Sequence, residues 1–547
     1  MQNTIENTVR ALLEKALSEA YSITDQAIEV EVPANRDLGD FSTNIAMQLA
    51  RTLKTNPKAI AETLKDSLAS DDLFRAVEVA GPGFINLFLA DEVLHGNLHA
   101  IMEAPSRYGA SDHGEGTHVN IEFVSANPTG NLHVGHARGA AAGDNLARVM
   151  QKVGYTVTKE FYVNDGGNQI LNLAKSIQAR YEQLHGKDTP LPEDGYHGPE
   201  IRTIAEALKM THGDTYLHQD GLQVFRDFGV ERLLEGLKED LNTFGVAFDR
   251  FFSEASLYEE NKVAHTLEKL KSEGHTYEEE GAIFLRTSAY GDDKDRVIVK
   301  SDGTYTYLMP DIAYHLDKLE RGYDVLIDVL GADHHGYVPR LKAAIEMMSG
   351  KKDVLDVEML QIVKVIKDGE EIKMSKRSGK AITLRDLIEE VGSDAIRYFF
   401  ARHSLNTHMD LDLDLALKKT NENPVFYAQY AHARIKTLIK KARERSYNVN
   451  AVPETFNHLD HEKTRKLLLA LTDYPGVIED AAKTRSPHKV PNYVHSLAST
   501  LHTFYSAVPV MSEDVSASEE RIYLLRAVAS VIEDALSLIG VRAPDSM

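Results

Sequence analysis

From His118 to Asp165 the chain runs through a strand pattern, a helix and a second strand pattern, and the helix is built largely of alanine and glycine. In "HVNIEFVSA" Val119, Ile121 and Phe123 alternate with Asn120 and Glu122, the period of a strand, and "NPTG" then turns the chain. The helix that follows starts near His133 and stops at Gly154, a residue type that commonly ends helices. Ala137, Gly139, Ala140, Ala141, Ala142 and Gly143 give it little side-chain bulk, so its backbone can press onto a sheet. "VTKEFYVND" reads as the second strand. Strand, helix and strand in that order imply parallel strands in a nucleotide-type α/β sheet, with ligands expected beyond the strands' carboxyl ends. His133 and His136, in "HVGH", stand at that end.

At 547 residues the chain is long for one core, and roughly two to four domains are expected. Residues 1–108 read as a small α/β unit. Phe41, Ile45, Leu49 and Leu53 recur every four residues, as do Ile60, Leu64 and Leu68, which predicts two helices, and "GPGFINLFLA" predicts a strand. Glycine and small polar residues in "APSRYGASDHGEGTH" mark a linker near residue 108. Residues 109–410 form the α/β body, interrupted at about 181–300 by an acidic, mostly helical insertion. The sheet resumes in "DVLIDVLGADHHGY", whose apolar run suits a strand buried on both faces, and in "MLQIVKVIKDGEEIKMSKRSGK". A hairpin at Asp368-Gly369 would present the basic segment. Residues 411–547 show only helical periodicity: Val494, Leu497, Leu501 and Phe504 follow Pro491, and Ile522, Leu525, Ile532, Leu536 and Ile539 precede Gly540. The expected fold is thus a Rossmann-type parallel sheet, with a small N-terminal α/β domain and an all-α C-terminal bundle.

A hydrophobic content of 43% and a charged content of 26% suit a soluble globular protein. Zero cysteine rules out a disulfide framework, a thiolate nucleophile and a cysteine zinc site, and fits a reducing compartment. The first residues are amphipathic and charged rather than signal-like, and no apolar run is long enough to span a bilayer, so a cytoplasmic location without a membrane partner is expected. A net charge of −22 opposes indiscriminate nucleic-acid binding, so any such partner must meet a local basic patch. "ARIKTLIKKARER" offers one: Arg434, Lys436, Lys440, Lys441, Arg443 and Arg445 face only Glu444, though a solvated helix face has the same look.

The "HVGH" segment suits phosphate, because a helix N-terminus exposes unpaired N–H groups at its positive dipole end and the histidines add donors. Alone, H-x-G-H is a weak signal. The second element, "KMSKRSG" from Lys373 to Gly379, is an ordinary solvated basic loop on its bland reading. On the sharper one, its lysines stabilise departing pyrophosphate, an effect worth about 3–4 kcal/mol per key group in sites of this kind.

"HVGH" followed by "KMSKR", on an α/β sheet ahead of a helical bundle, resembles the class I aminoacyl-tRNA synthetases. The longer strings "EFVSANPTGNLHVGHARGAAAGDN", "YVNDGGNQI", "FDRFFSEASLY", "YLMPDIAYHLDK", "GKAITLRDLIEEVGSDAIRYFF" and "ENPVFYAQYAHARI" are similar to the arginyl-tRNA synthetases, over essentially the whole chain. The chain departs from many relatives in three places. His334 stands where they have glutamine, Phe252 where they have tryptophan, and "KMSKR" is complete where theirs is degraded.

The resemblance implies a ligase that joins L-arginine to ATP, releasing pyrophosphate, and passes the arginyl group to the terminal adenosine of a tRNA. It implies magnesium travelling with ATP, no tightly bound cofactor or protein metal site, a monomer, and arginine activation that itself requires tRNA. His133, His136, Lys373 and Lys376 match the catalytic positions, with Gly135, Met374 and Ser375 completing the ATP site. Glu122, Tyr307 and Asp311 match the guanidinium-reading positions, Ser125 and Asn127 those for the α-amino and carboxylate end, and His136 and His334 border the same ligand. A guanidinium has five donors and a fixed charge, so carboxylates and hydroxyls suit it, and Tyr307 and Asp311 are one helical turn apart. Tyr427, Tyr430, Arg434, Lys440 and Lys441 are expected against tRNA, and the N-terminal domain against its elbow. Three rivals are a class I synthetase for another amino acid, a small nucleotidyltransferase, and a non-catalytic tRNA-binding relative. The last would have lost the histidines or lysines, and all four persist.

Overall fold

The computed structural model describes residues 4–373 and 382–547. The N-terminal unit comprises α1 (Ile5–Tyr21), β1 (Phe41–Thr43), α2 (Ile45–Leu53), α3 (Pro57–Leu68), β2 (Phe74–Ala80), β3 (Phe84–Leu89) and α4 (Asp91–Glu103). Its strands form an antiparallel sheet in the order β1-β3-β2. Ile45 and Leu49 on α2, and Ile60, Leu64 and Leu68 on α3, are buried as their spacing predicts. Phe41, grouped with them by the four-residue repeat, lies instead on β1 opposite Leu87. The repeat crosses from a three-residue strand into a helix, and so short a strand carries no period of its own.

The α/β body contains β4 (His118–Glu122), α5 (Val134–Lys152), β5 (Thr156–Val163), α6 (Gly167–Leu184), α7 (Pro199–His212), α8 (Leu222–Thr243), β6 (Arg250–Ser253), α9 (Glu254–Glu259) and α10 (Lys262–Ser272). It continues with β7 (Thr276–Glu279), β8 (Ala282–Leu285), β9 (Arg296–Val299), α11 (Leu308–Glu320), β10 (Val325–Gly331), α12 (Val338–Ser349) and β11 (Leu355–Leu360). Its central sheet is parallel throughout, in the order β11-β10-β4-β5-β6. From β4 the chain builds outward through β5 and β6, then returns to lay β10 on the other side. The crevice between β4 and β10 is therefore the switch point where such sheets bind ligands. The insertion is helical in α7, α8 and α10, and Leu173, Ile177, Tyr181, Ile201 and Phe225 form a core there. The helical expectation fails at two places: β6 is an edge strand of the central sheet rather than part of an insertion, and over residues 276–299 β7, β8 and β9 make an antiparallel sheet. Each of these strands is four residues long, too short to show alternation.

The remaining elements are β12 (Val363–Lys367), β13 (Glu370–Glu371), α13 (Leu384–Val391), α14 (Ser393–Ala401), β14 (Met409–Asp412), α15 (Leu413–Leu417), α16 (Pro424–Glu444), α17 (Glu462–Lys483), α18 (Lys489–Ala507) and α19 (Val515–Leu538). β12 and β13 pair antiparallel through Asp368 (φ 54°) and Gly369 (φ 77°), the two positive values that a tight hairpin turn requires. β14 pairs parallel with β12, so a strand crosses residue 411 where helix alone was expected. Helices α16 to α19 form the bundle, and α5 packs on α14, α17 and α19. Arg397, on α14, is fully buried. It donates to Asp144 at 2.6 Å and Asn145 at 2.8 Å on α5, and to the Ile539 carbonyl at 2.9 Å after α19. The N-terminal unit also leans on the bundle: α4 packs on α17 and α19, and Arg465 donates to Asp40 at 2.8 Å and to the Leu89 carbonyl at 3.0 Å. Among the described residues no helix is long and apolar enough to cross a membrane.

Candidate active site

His133 caps α5. Its Nδ1 accepts from the Gly135 N–H at 3.1 Å, while its own N–H donates to Nδ1 of His136 at 3.3 Å. The two rings stack with centroids 3.7 Å apart. Burial, reinforced by the neighbouring His133 ring, holds His136 down to about 4, and burial also lowers His133. Both imidazoles are therefore neutral at neutral pH, and with each Nδ1 accepting, the proton sits on Nε2. Two Nε2–H donors thus stand at the positive end of a helix, which suits a phosphate.

The downstream arm of the basic segment is fastened to the same place. Thr383 forms an antiparallel bridge with His133, and the Leu384 N–H donates to the Leu132 carbonyl at 2.7 Å. Thr383 also caps α13, exchanging backbone-to-side-chain hydrogen bonds with Asp386 at 3.0 and 3.1 Å. On the upstream arm Lys373 is exposed just after β13. Met374, Ser375 and Lys376 lie outside the described residues.

Below the crevice the sheet carries a row of buried carboxylates: Asp328 on β10, Glu122 on β4 and Glu160 on β5 are register partners across three parallel strands. One face of α11 answers them. Lys318 donates to Glu122 at 2.7 Å and Asp328 at 3.0 Å, and His315 Nε2 lies 2.8 Å from Asp328. Arg321 grips both oxygens of Glu160 at 2.7 and 2.9 Å. Burial alone would discharge Lys318, but Asp328 and Glu122 raise it above the ordinary lysine range. Burial likewise opposes the charge on Asp328, yet Lys318 and His315 pull it well below the ordinary carboxylate range. Glu122 is pushed up by burial, against the pull of Lys318.

Asp311, in the first turn of α11, accepts from the Tyr337 hydroxyl at 2.5 Å, and burial pushes its carboxyl up. Glu254, at the start of α9, hydrogen-bonds the Tyr162 hydroxyl; burial raises it and nearby Asp311 adds to the rise. Tyr162 sits in the field of Glu254, Asp311 and Glu122 together. Lys318 serves Glu122, whereas neither Asp311 nor Glu254 forms an ion pair among the described residues. Acids raised by burial favour a bound cation, which would restore their charge. The sequence alone gives Glu254 and Tyr162 no role. The signal was an acid opening a helix directly after a strand's carboxyl end, in "FFSEASLY".

Glu254 also lines a cleft of about 1100 Å³ with Gly167, Gln169, Arg226, Tyr258 and Tyr307. Tyr307 stands at its edge, 89% exposed, while Asp311 one turn later is held by Tyr337, so the structure gives the two residues different surroundings. Asn127 donates to Gln169 at 2.7 Å, tying the segment after β4 to α6. Ser125 donates to Glu122 at 2.9 Å and accepts from the Tyr162 N–H at 3.1 Å. Val124 (φ 69°) and Ser125 (φ 40°) both adopt left-handed backbone, a strain of about 1–3 kcal/mol each that clusters at functional sites. His334 is exposed in a short helical turn beyond β10, 3.6 Å from Asp333. Among the described residues no group of three or more His, Asp or Glu side chains is placed to hold a metal ion.

On the bundle, Tyr427 is partly buried between His495 and His502, each at 5.0 Å, and Tyr430 stacks on Phe426 at 5.8 Å. Arg434 lies 4.6 Å from the Tyr505 ring centroid. Lys440 and Lys441 are exposed at the end of α16. The basic stretch is thus a helix face with aromatic rings at its foot. His495, His502 and Tyr505 come from α18, more than sixty residues from Tyr427 in sequence, so no local pattern groups them with it.

Three family models cover the chain: "Arginyl tRNA synthetase N terminal domain" over residues 7–89, "tRNA synthetases class I (R), catalytic domain" over 97–439, and "DALR anticodon binding domain" over 428–547. The arginine--tRNA ligase of Bacillus licheniformis is 49% identical over 556 residues, covering 100% of this chain and 99% of the relative. That of Bacillus subtilis is 48% identical over the same span and shares. In structure, the arginyl-tRNA synthetase of Thermus thermophilus superposes with a TM-score of 0.78 over 100% of both chains at 20% identity, a likeness of fold. With the histidine-capped helix, the parallel sheet and the helical bundle all present, the chain belongs to the arginine--tRNA ligases of the class I aminoacyl-tRNA synthetases.

Proposed function

We propose that arginine and ATP meet at the crevice between β4 and β10, with the nucleotide on the α5 end and the guanidinium on the acid side. The observation that carries this reading is the capped helix: two neutral histidines whose Nε2–H groups have no partner among the described residues, bridged at His133 to Thr383 just beyond the basic segment. His133, Gly135 and His136 would seat the phosphates, and Lys373 and Lys376, with Met374 and Ser375 between them, would close over departing pyrophosphate. The arginine carboxylate then attacks the α-phosphate in line; positioning and charge stabilisation suffice, without a protein nucleophile. Asp311 and Glu254, neither of them ion-paired among the described residues, take the guanidinium, with Tyr162, Tyr307 and His334 around it. Asn127 takes the α-amino and carboxylate end, and Glu122 and Ser125 support it from below.

Magnesium is assigned to the nucleotide's phosphates, since this ion keeps most of its waters and takes few protein ligands. The face of Tyr427, Tyr430, Arg434, Lys440 and Lys441 is assigned to tRNA, by base stacking and phosphate contact. The N-terminal unit is assigned to the tRNA elbow, and the enzyme to the cytoplasm as a monomer. The test is exchange of labelled pyrophosphate into ATP with each of the twenty amino acids, with and without tRNA. Exchange with arginine alone among them, and only when tRNA is present, is the expected result; full exchange without tRNA contradicts the tRNA requirement.

A further inference from the structure

The strained turn after β4 hangs from a chain of hydrogen bonds that ends on a lysine. Ser125 is tied to Glu122, the other Glu122 oxygen accepts from Lys318, and Lys318 is anchored on Asp328. The Lys318 side chain has no exposed surface, and its ammonium lies 4.4 Å from the centroid of the Tyr314 ring, so solvent cannot replace it. The Ser125 hydroxyl donates to Glu122 and accepts from the Tyr162 N–H, and the Ser125 backbone N–H donates to the Phe123 carbonyl at 2.9 Å, so the residue is tied into the turn on three sides. What Ser125 contributes is therefore the shape of the turn, and that shape decides where Asn127 arrives. Glu122 and Asp328 are direct register neighbours. Without an ammonium between them, one carboxyl must take a proton or turn away, and the tie to Ser125 loosens.

We propose that Lys318 is a positioning residue for the amino-acid substrate: by holding Glu122 it fixes the Val124–Ser125 turn, and through it the placement of Asn127. This rests on the reading that Asn127 meets arginine, and the set of variants separates the two. The measurement is steady-state aminoacylation at saturating tRNA, varying arginine and ATP in turn. Lys318→Met and Lys318→Gln should each raise the arginine KM at least about tenfold and leave the ATP KM within about twofold, with Lys318→Arg closer to the parent. Ser125→Ala should show the same split. The double variant Lys318→Met with Ser125→Ala should be no worse than the poorer single, since both cut one chain. Independent, multiplying effects, equal changes in both KM values, or failure of both neutral variants to fold would make Lys318 a purely structural residue and overturn the proposal. An unchanged arginine KM in Asn127→Ala would remove the underlying reading, and the proposal with it. A raised KM in Asn127→Ala beside an unchanged one in both neutral Lys318 variants would overturn the role of Lys318 alone.

Discussion

Gly139 and Gly143 lie one turn apart on α5, and replacing each by alanine sets the same two effects against each other with opposite outcomes. Inside a helix alanine is favoured over glycine by about 0.8–1.0 kcal/mol. At Gly139 an added Cβ would lie 3.5 Å from Leu360 Cδ2, an ordinary contact, so Gly139→Ala should stabilise by up to about 1 kcal/mol. At Gly143 it would lie 2.2 Å from Phe123 Cγ and 2.5 Å from both Cδ atoms. Phe123 is fully buried with its ring 4.4 Å from that of Phe248, so it has nowhere to swing. Carbon atoms rest about 3.5–4.0 Å apart, so the helix must rise by an ångström or more. Overpacking of this kind costs about 1–3 kcal/mol, and contacts this short against a ring that cannot move belong at the upper end of that range, so after the helix-propensity gain the net loss is up to about 2 kcal/mol. The same rise displaces His133 and His136, and a misplacement near 1 Å costs on the order of a hundredfold in rate. Thermal and denaturant unfolding of both variants, with single-turnover adenylate formation in the presence of tRNA, tests both parts. Gly139→Ala should match or exceed the parent in stability and keep its rate; Gly143→Ala should lose on both counts. A Gly143→Ala enzyme as stable and as fast as Gly139→Ala would refute the claim that close packing of α5 on β4 sets the histidines in place.

Asp311→Asn should raise the arginine KM on the order of a hundredfold, from loss of one buried charged partner worth about 3 kcal/mol, with a far smaller change for ATP; equal changes would place Asp311 outside the arginine site. His136, held down to about 4 from 6.5, stays neutral while an unfolded chain would take up a proton. Its contribution to stability is present above pH 6.5 and is lost as pH falls toward 4. Unfolding midpoints of the parent and of His136→Asn between pH 7.5 and 4.5 should converge as the parent loses more, and parallel curves would contradict the neutral assignment. Replacing Lys440 and Lys441 together by alanine should weaken tRNA binding and flatten its salt dependence by about one to two units of slope, and an unaltered slope would move the tRNA contact elsewhere.

Where side-chain pattern repeats over enough residues, the fold could be read from the chain alone. The small-residue run of α5, the apolar run of β10 and the helical spacing of α18 and α19 each occupy the element they imply. Short strands escaped: β1, β7, β8, β9 and β14 have three or four residues each, fewer than a period needs to declare itself. The site divides the same way. His133 and His136 are local, three residues apart on one turn, yet H-x-G-H alone is a weak signal, and it is the longer resemblance that singles them out. The surroundings of Lys318, Glu254 and Tyr162 depend on partners distant in sequence, Lys318 meeting Glu122 across 196 residues of chain. No local pattern distinguishes such a lysine from one on a solvated helix face. Glu122, Glu160 and Asp328 read as the polar half of alternating strands, and only the register of three strands shows that they form a single row.

The contacts between the N-terminal unit and the bundle also bear on how the protein is made. Asp40 is buried against Arg465, which is translated 425 residues later. Asp144 on α5 waits for Arg397, 253 residues on, and Arg397 in turn reaches the carbonyl of Ile539, at the far end of α19. A nascent chain emerging from the ribosome therefore exposes, on its N-terminal unit, a surface that is covered only by helices synthesised hundreds of residues later. Arg397 and Asp144 can meet earlier, but the guanidinium gains its last acceptor only when the end of α19 arrives. Small domains commonly fold one by one as they emerge. Here the N-terminal unit and helix α5 reach their final form only once α17 and the end of α19 have been synthesised, so chains stalled before that point would carry charges that longer ones bury.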